Sequence, residues 1–511
     1  MSTAKKTHAL EPFFTPKSIA IIGASAKEGK IGNVIFSNFV RSFRGKLYPI
    51  NTHESEIFGI KCYKSVKEVK EEIEAAVIAI PAAAVPQALK ECGQKKVKAA
   101  TIISAGFAEI GNEKLQKELE KAIKQFPQTK VIGPNCLGIL DTKSGVDMLF
   151  LPNERLGRPR NGVVSFISQS GALGSAILDW DAMKGYGINK FVSYGNAVQV
   201  DESQLLDYFA EDESTKVITA YFEGVKNGKR FFEALKKACE KKPVIVLKGG
   251  SSEKGAEAVK SHTASMAGNH ESFIAALKQC NAIIAESMEE VFDYARVFTT
   301  EPKPKGSKVQ IITDGGGYGV LATDALSKFG LELAEMSEER KAVIKQACPN
   351  YAVVKNPIDL TGDANNERYK VALEQAMLDE NVDAIFTILL LQVPNINEGV
   401  VEEMQKISLA KTKPLIFISA GGAFSEKQRR KMEEKSTSTF QSPLDAAKSL
   451  SALIKYYTTK EAREKAALEP EKPKAEKPSE KKESAKKAKA KVKAKSKPKK
   501  QSAKKAKKEK R

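Results

Sequence analysis

The sequence predicts an α/β protein of three doubly wound units, residues 1–147, 148–300 and 301–460, followed by a basic tail over 461–511. Two observations carry this. Short apolar runs alternate with helical patterns at the spacing of βαβ units, which build parallel sheets covered by helices on both faces. The pattern then restarts twice with a fresh buried-type strand. The length of 511 residues suits about three domains. A composition 41% hydrophobic is enough for several packed cores.

The first unit opens with an apolar strand at Ser18–Ile22 and a small-residue turn, Gly23-Ala24-Ser25. Further strands are predicted at Lys46–Ile50, Ala75–Ile80, Ala99–Ser104 and Lys130–Ile132, and the unit closes near Asp147. The second unit restarts at Gly162–Ser168 and continues through Lys190–Ser193, Val217–Phe222 and Pro243–Lys248. Glu301-Pro302-Lys303-Pro304-Lys305-Gly306 reads as a linker. The third unit begins at Lys308–Thr313 and carries strands at Ala384–Leu391 and Pro414–Ser419. Beyond about residue 460 the chain is Lys, Ala, Glu, Pro and Ser with almost no large apolar residue. Such a segment cannot bury enough surface to offset its ordering entropy, so disorder is expected.

The tail also explains the charge. Formal net charge is +20, but residues 471–511 hold 20 Lys/Arg against 5 Asp/Glu, which leaves the first 470 residues only +5. The six cysteines are scattered and form no C-x-x-C, as in a reducing compartment. The N-terminus lacks a signal-peptide apolar region, and the longest apolar runs fall short of the ~18 residues of a membrane span. A cytoplasmic protein, not an integral membrane one, is expected.

Each unit offers one strand–turn–helix junction where small residues precede a helix. Backbone N–H groups there lack helical partners, and the helix dipole favours an anion. The first, Gly23-Ala24-Ser25, departs from G-x-G-x-x-G at Ser25, and Asn51 stands where an acidic ribose partner would end the second strand, which weakens a dinucleotide reading. It reads equally as a tight βα turn or as a site for another nucleotide-bearing ligand. The second, Ser168-Gln169-Ser170-Gly171, is either an anion cradle or a Ser-capped helix start. The third, Asp314 followed by Gly315, Gly316 and Gly317, has more glycine than a turn needs and points to close ligand approach.

Of four histidines, His262 lies in Lys260–Gly268, among small and polar residues after Gly249-Gly250-Ser251-Ser252. A histidine there is either a solvent-facing loop residue or a nucleophile, since neutral imidazole keeps a free nitrogen near pH 7. Glu223, predicted at a strand end where sheets of this kind bind ligands, is a candidate to orient it, or a surface carboxylate.

The ordered set of segments is distinctive. Leu10–Phe14, Ser18–Ser25, Tyr48–Asn51, Ala105–Phe107, Gly133–Gly138, Ser168–Gly171, Tyr194–Asn196, Glu223-Gly224, Lys260–Gly268 and Asp314–Gly319 together resemble the α subunit of ADP-forming acetate–CoA ligases, in the succinyl-CoA synthetase superfamily. The resemblance implies a Rossmann-like CoA-binding domain and two flavodoxin-like domains. Gly23, Ala24, Ser25, Asn51, Gly133, Pro134 and Asn135 would contact CoA. Ser168, Gln169, Ser170 and Gly171, with Gly315, Gly316 and Gly317, would grip a phosphate. His262 would be phosphorylated and Glu223 would stabilise it. It further implies Mg²⁺ with ADP/ATP on a separate ATP-grasp β subunit, since no ATP-grasp segment is found here, and an α2β2 assembly acting on a small carboxylic acid. No metal site is expected in this chain. Two other readings remain: a catalytically silent CoA-binding regulatory or scaffold relative, and a tail that binds nucleic acid or anionic membrane non-specifically through phosphates.

Overall fold

The computed structural model describes residues 8–257, 269–396, 398–435 and 437–468. Residues through Lys460 form one compact body built on three mainly parallel sheets. The described residues are α/β throughout, as the alternating pattern predicts.

The first sheet contains β1 (Ser18–Ile22), β2 (Lys46–Ile50), β5 (Ala75–Ile78), β6 (Ala99–Ile102) and β7 (Lys130–Ile132), with a small hairpin, β3 (Glu56–Ile57) and β4 (Ile60–Lys61), beside it. Its order is β2-β1-β5-β6-β7, all parallel. Strands β1, β5 and β6 are buried along their whole length, the pattern of a parallel sheet covered on both faces. The order reverses at β1, so Gly23 leaves the sheet at its switch point, where ligands bind such folds.

The second sheet contains β8 (Gly138–Asp141), β9 (Val146–Asp147), β10 (Arg160–Ser168), β11 (Gly187–Ser193), β12 (Val217–Phe222), β13 (Val244–Lys248) and β14 (Ile283–Ala285), in the order β14-β13-β12-β10-β11-β8-β9. The residues expected to close the first unit before Asp147 are β8 and β9, and β8 pairs antiparallel to β11 on this second sheet. A buried cation lies at this seam: the Lys190 ammonium sits 2.8 Å from Asp212 and 3.7 Å from Asp141. Here the switch point is β10, flanked by β11 and β12, so Ser168–Ser170 leave from it.

The third sheet contains β15 (Lys308–Thr313), β16 (Glu332–Leu333), β17 (Val353–Val354), β18 (Ile358–Asp359), β19 (Ala384–Ile388), β20 (Leu415–Ile418) and β21 (Thr439–Phe440). Its order is β17-β18-β15-β19-β20-β21, with β16 also on β15. The cores do not respect the sequence boundaries. One apolar cluster joins Phe14, Ile19 and Phe39 to Val192, Tyr194 and Phe209, and another joins Val217 and Ile245 to Ile311 and Tyr456. The segment read as a linker is anchored at its start, because Glu301 is buried and its carboxylate accepts a 2.8 Å hydrogen bond from the Leu415 amide. The last helix runs Pro443–Leu468, past the expected start of the tail; residues 469–511 lie outside the described residues. No described helix is long and apolar enough to cross a membrane.

Candidate active site

A cleft of about 1010 Å³ opens where strand ends of the first and second sheets meet. Ala79–Ala82 and Ile103–Ala105 line it from the first sheet. Gln169–Ala172, Gly195–Ala197, Glu223 and Gly224 line it from the second, and Asn135–Leu137 lie on the crossing segment.

The crossing is fixed by backbone contacts. Pro134 O accepts from the Asn196 amide at 3.0 Å, and Gly133 O accepts from Val198 at 3.1 Å. Gly195 is in the left-handed region, and a Cβ there would lie 2.3 Å from both Pro134 O and Asn135 O. Only glycine allows that approach. Glu109 completes the tie: its carboxylate accepts from the Gly106 and Phe107 amides, and from Asn196 Nδ2 at 2.6 Å. Burial favours the neutral acid, but these donors outweigh it and hold the carboxyl below its usual range.

The second turn is open to the cleft. Ser170 caps the helix Gly171–Lys184 by accepting from the Leu173 amide at 3.3 Å, and Gly174 donates to Ser170 O. That leaves the Gly171 and Ala172 amides without a helical partner at the cleft wall. Gln169 holds the neighbouring strand end: its Oε1 accepts from the Glu223 amide at 2.7 Å and the Gly224 amide at 3.2 Å. Ser168 is buried, its hydroxyl donating to Ser170 O at 2.7 Å, so it shapes the turn and does not line the cleft.

Glu223 follows β12 and is 6% exposed. Tyr221 donates to its Oε1 at 3.3 Å, while Oε2 is buried without a partner. An unpartnered buried carboxylate oxygen is costly unless a ligand or moving side chain completes it. Behind it the Lys248 ammonium, its pKa lowered by burial, donates to Glu223 O at 2.8 Å. Cys136 is also on the cleft wall, but burial pushes its thiol up to about 12, which suppresses the nucleophilic thiolate.

The first turn borders the cleft without opening into it. A Cβ on Gly23 would lie 2.3 Å from Ala79 O on the cleft wall. The Gly23 amide donates to Ile50 O and the Ala24 amide to Ile21 O. The Ala26 amide donates to Glu54 Oε2 at 2.8 Å, and the Ser25 hydroxyl to Glu54 Oε1 at 3.2 Å. Asn51 bridges the turn, donating to Ala24 O at 2.7 Å and accepting from the His53 and Glu54 amides. The turn already holds an anion, a carboxylate of this chain.

The third turn precedes the helix Gly316–Lys328 and is not part of the cleft wall. Gly315 has a packing reason, since a Cβ would lie 2.6 Å from Leu390 Cδ1. Gly317 has none: a Cβ would meet nothing within 4 Å. His262 lies outside the described residues. Among the described residues no cluster of three or more His, Cys, Asp or Glu could hold a metal ion. Four residues of the site escaped sequence reading: Glu54, Glu109, Glu202 and Lys226. Asp201 with Gln204 reads as a capping box, which signals the helix start but says nothing of where Glu202 points.

Fold and site define a CoA-ligase class of protein. Residues 17–142 match a CoA binding domain, 161–298 a succinyl-CoA ligase like flavodoxin domain, and 309–441 a ligase-CoA domain. The chain is 40% identical over 458 residues to the α subunit of acetate–CoA ligase (ADP-forming) I of Pyrococcus furiosus, covering 88% of this chain and 97% of that one. It is 39% identical to the acetate–CoA ligase (ADP-forming) I of Archaeoglobus fulgidus, covering 88% of this chain but 64% of that longer protein. Among solved structures, the dinucleotide-forming acetyl-coenzyme A synthetase 1 of Ca. Korarchaeum cryptofilum, in complex with phosphate and ADP, superposes with a TM-score of 0.84 at 34% identity, covering 90% of this chain and 99% of that one. The chain belongs to the family of ADP-forming acetate–CoA ligases.

Proposed function

We propose that this chain is the catalytic α subunit of a cytoplasmic ADP-forming acyl-CoA synthetase, and that it carries the CoA, acyl and phosphate chemistry. Phosphate attacks the thioester of acyl-CoA to give acyl phosphate and free CoA. The acyl phosphate passes its phosphoryl group to His262 and releases the acid, and ADP takes the group from phosphohistidine. The observation that carries this reading is the meeting of the Gly171–Ala172 helix start with the unpartnered Glu223 Oε2 on one cleft. Helix-start amides stabilise phosphoryl oxygens, and a buried carboxylate orients and stabilises an imidazole as it gains charge.

CoA would approach along the first sheet, with Gly23–Ser25, Asn51 and Gly133–Asn135 beside it. Glu54 leaves the first turn when a phosphate arrives there. Ser170 and Gly171 would hold the transferring phosphate in the cleft, on a turn shaped by Ser168 and Gln169, and Gly315–Gly317 would offer it a second helix start outside the cleft wall. The near-complete match to a chain named an α subunit supports a separate β subunit, which we read as an ATP-grasp chain in an α2β2 assembly. That partner would hold ADP/ATP with its Mg²⁺.

The test is to incubate the purified chain with acetyl-CoA and labelled phosphate, beside His262→Asn. Acid-labile, base-stable label on the parent chain and none on the variant is expected, and a panel of acyl-CoAs then ranks the acids. No label with any acyl-CoA, even after a β subunit is added, would overturn the reading in favour of a catalytically silent relative.

A further inference from the structure

Glu202 opens the helix Glu202–Glu211 and stands on the wall of the same cleft. It is not needed to start that helix. Asp201 accepts from the Gln204 amide at 3.1 Å, and Gln204 accepts in return from the Asp201 amide. A first-turn glutamate can gain what the helix dipole offers while staying in water. Glu202 is instead 2% exposed, and its Oε1 has no hydrogen-bond partner. Tyr194, fully buried with an unpartnered hydroxyl, feels the charge of both Glu202 and Glu223. The site therefore contains two buried carboxyl groups, each with an unpartnered oxygen.

Glu202 stays protonated more readily than an ordinary glutamate. Burial is the largest influence; the Glu202 and Lys226 backbone amides oppose it by favouring the carboxylate, and Asp201 on the same helix adds repulsion. Lys226, from the loop after β12, favours the anion, but its ammonium donates to Asn196 O and Ala197 O at 2.8 and 2.9 Å and makes no ion pair with Glu202 within 4 Å. Burial wins and pushes the carboxyl up to about 7. Such a group both gives and accepts a proton near neutrality, and it lies within reach of an ordinary thiol pKa of about 8.5.

We propose that Glu202 carries the proton of the thioester step, a role that rests on the cleft being the acyl-CoA site. When phosphate attacks, the carbon–sulfur bond breaks and the bond from acyl carbon to phosphate oxygen forms. The departing sulfur takes the Glu202 proton, and the Glu202 carboxylate takes the proton of the attacking hydrogenphosphate. In reverse, the carboxylate removes the thiol proton of CoA and the sulfur attacks acyl phosphate. Glu223 stays with the phosphoryl step, so each carboxyl group serves one half of the reaction.

The test uses two donors on the parent chain and Glu202→Gln. Labelled phosphate with acetyl-CoA requires the thioester step, whereas labelled acetyl phosphate bypasses it. Glu202→Gln should lose about 100-fold in the rate of labelling from acetyl-CoA, the usual scale of a proton-transfer contribution. Labelling from acetyl phosphate should stay within about twofold, which also shows the variant is folded. The parent rate from acetyl-CoA should fall as pH rises through about 7, where the acid form is lost, and Glu202→Gln should lack that fall. Equal labelling of both proteins from acetyl-CoA overturns the assignment, and so does an equal loss with both donors, which marks a structural role. A parent chain labelled by neither donor removes the reading of the cleft itself, an outcome separable from the other two.

Discussion

The turns after β1 and β10 are alike in sequence style and opposite in state. Both leave a parallel sheet at its switch point through small residues and a serine. At Ser170 the helix start faces an open cleft, and its cap comes from a neutral hydroxyl. At Gly23 the helix is pressed onto the turn, and its donors hold the Glu54 carboxylate. A strand–turn–helix junction thus marks where an anion can bind, while residues far along the chain decide whether the place is open. The following substitutions probe that contrast, in order of their expected effect on stability.

Gly32 has the largest expected effect. It lies in the helix Ile31–Ser42, where a Cβ would sit 1.8 Å from Gly23 O and 2.8 Å from Gly23 C. Gly32→Ala must push the helix off the turn, with a cost of about 3 kcal/mol, beyond the ordinary range of surface changes. Gly171→Ala, whose Cβ would meet Leu137 at 3.3 Å from its Cβ and 3.5 Å from its amide nitrogen, should cost under about 1 kcal/mol. Urea unfolding midpoints measure both, and equal losses would remove the distinction between a closed and an open turn.

Glu54→Ala comes next. It strips an ionised acceptor from the Ala26 amide and the Ser25 hydroxyl, worth about 1–2 kcal/mol for a half-buried group. Removing the same carboxylate should strengthen CoA binding about fivefold by calorimetry, because a phosphate no longer competes with it. Weaker CoA binding would mean that Glu54 belongs to the ligand contacts and is no placeholder.

The strands at the centres of the sheets were legible in the sequence because burial on both faces writes short, mainly apolar runs: Ser18–Ile22, Val217–Phe222 and Lys308–Thr313 are observed as read. The two-residue strands β3, β4, β9, β16, β17, β18 and β21 escaped, since two residues carry no periodicity. The second turn and Glu223 could be placed beforehand because strand ends and helix starts are local features. Glu54 on the Ser25 hydroxyl, Glu109 on Asn196 and Glu202 on the cleft wall could not, because each position comes from packing between segments that local pattern does not relate. The third turn divides the same way: three glycines look alike in sequence, yet Gly315 is held by Leu390 and Gly317 faces open space.

The smallest expected effect on stability is the sharpest for the site. Ser170→Asp places a carboxylate on the second turn, as Glu54 stands on the first. Aspartate caps a helix as well as serine does, so the Leu173 amide keeps its acceptor and stability should change by less than about 0.5 kcal/mol. The helix start would then already hold a negative charge. A phosphate about 4 Å away meets roughly 1 to 4 kcal/mol of repulsion, depending on how much water remains in the cleft, so phosphate-dependent labelling should fall at least about fivefold. A variant that unfolds with the parent and labels with the parent would show that phosphate is held elsewhere, and the Gly316–Gly317 helix start, whose amides likewise lack helical partners, would inherit the role.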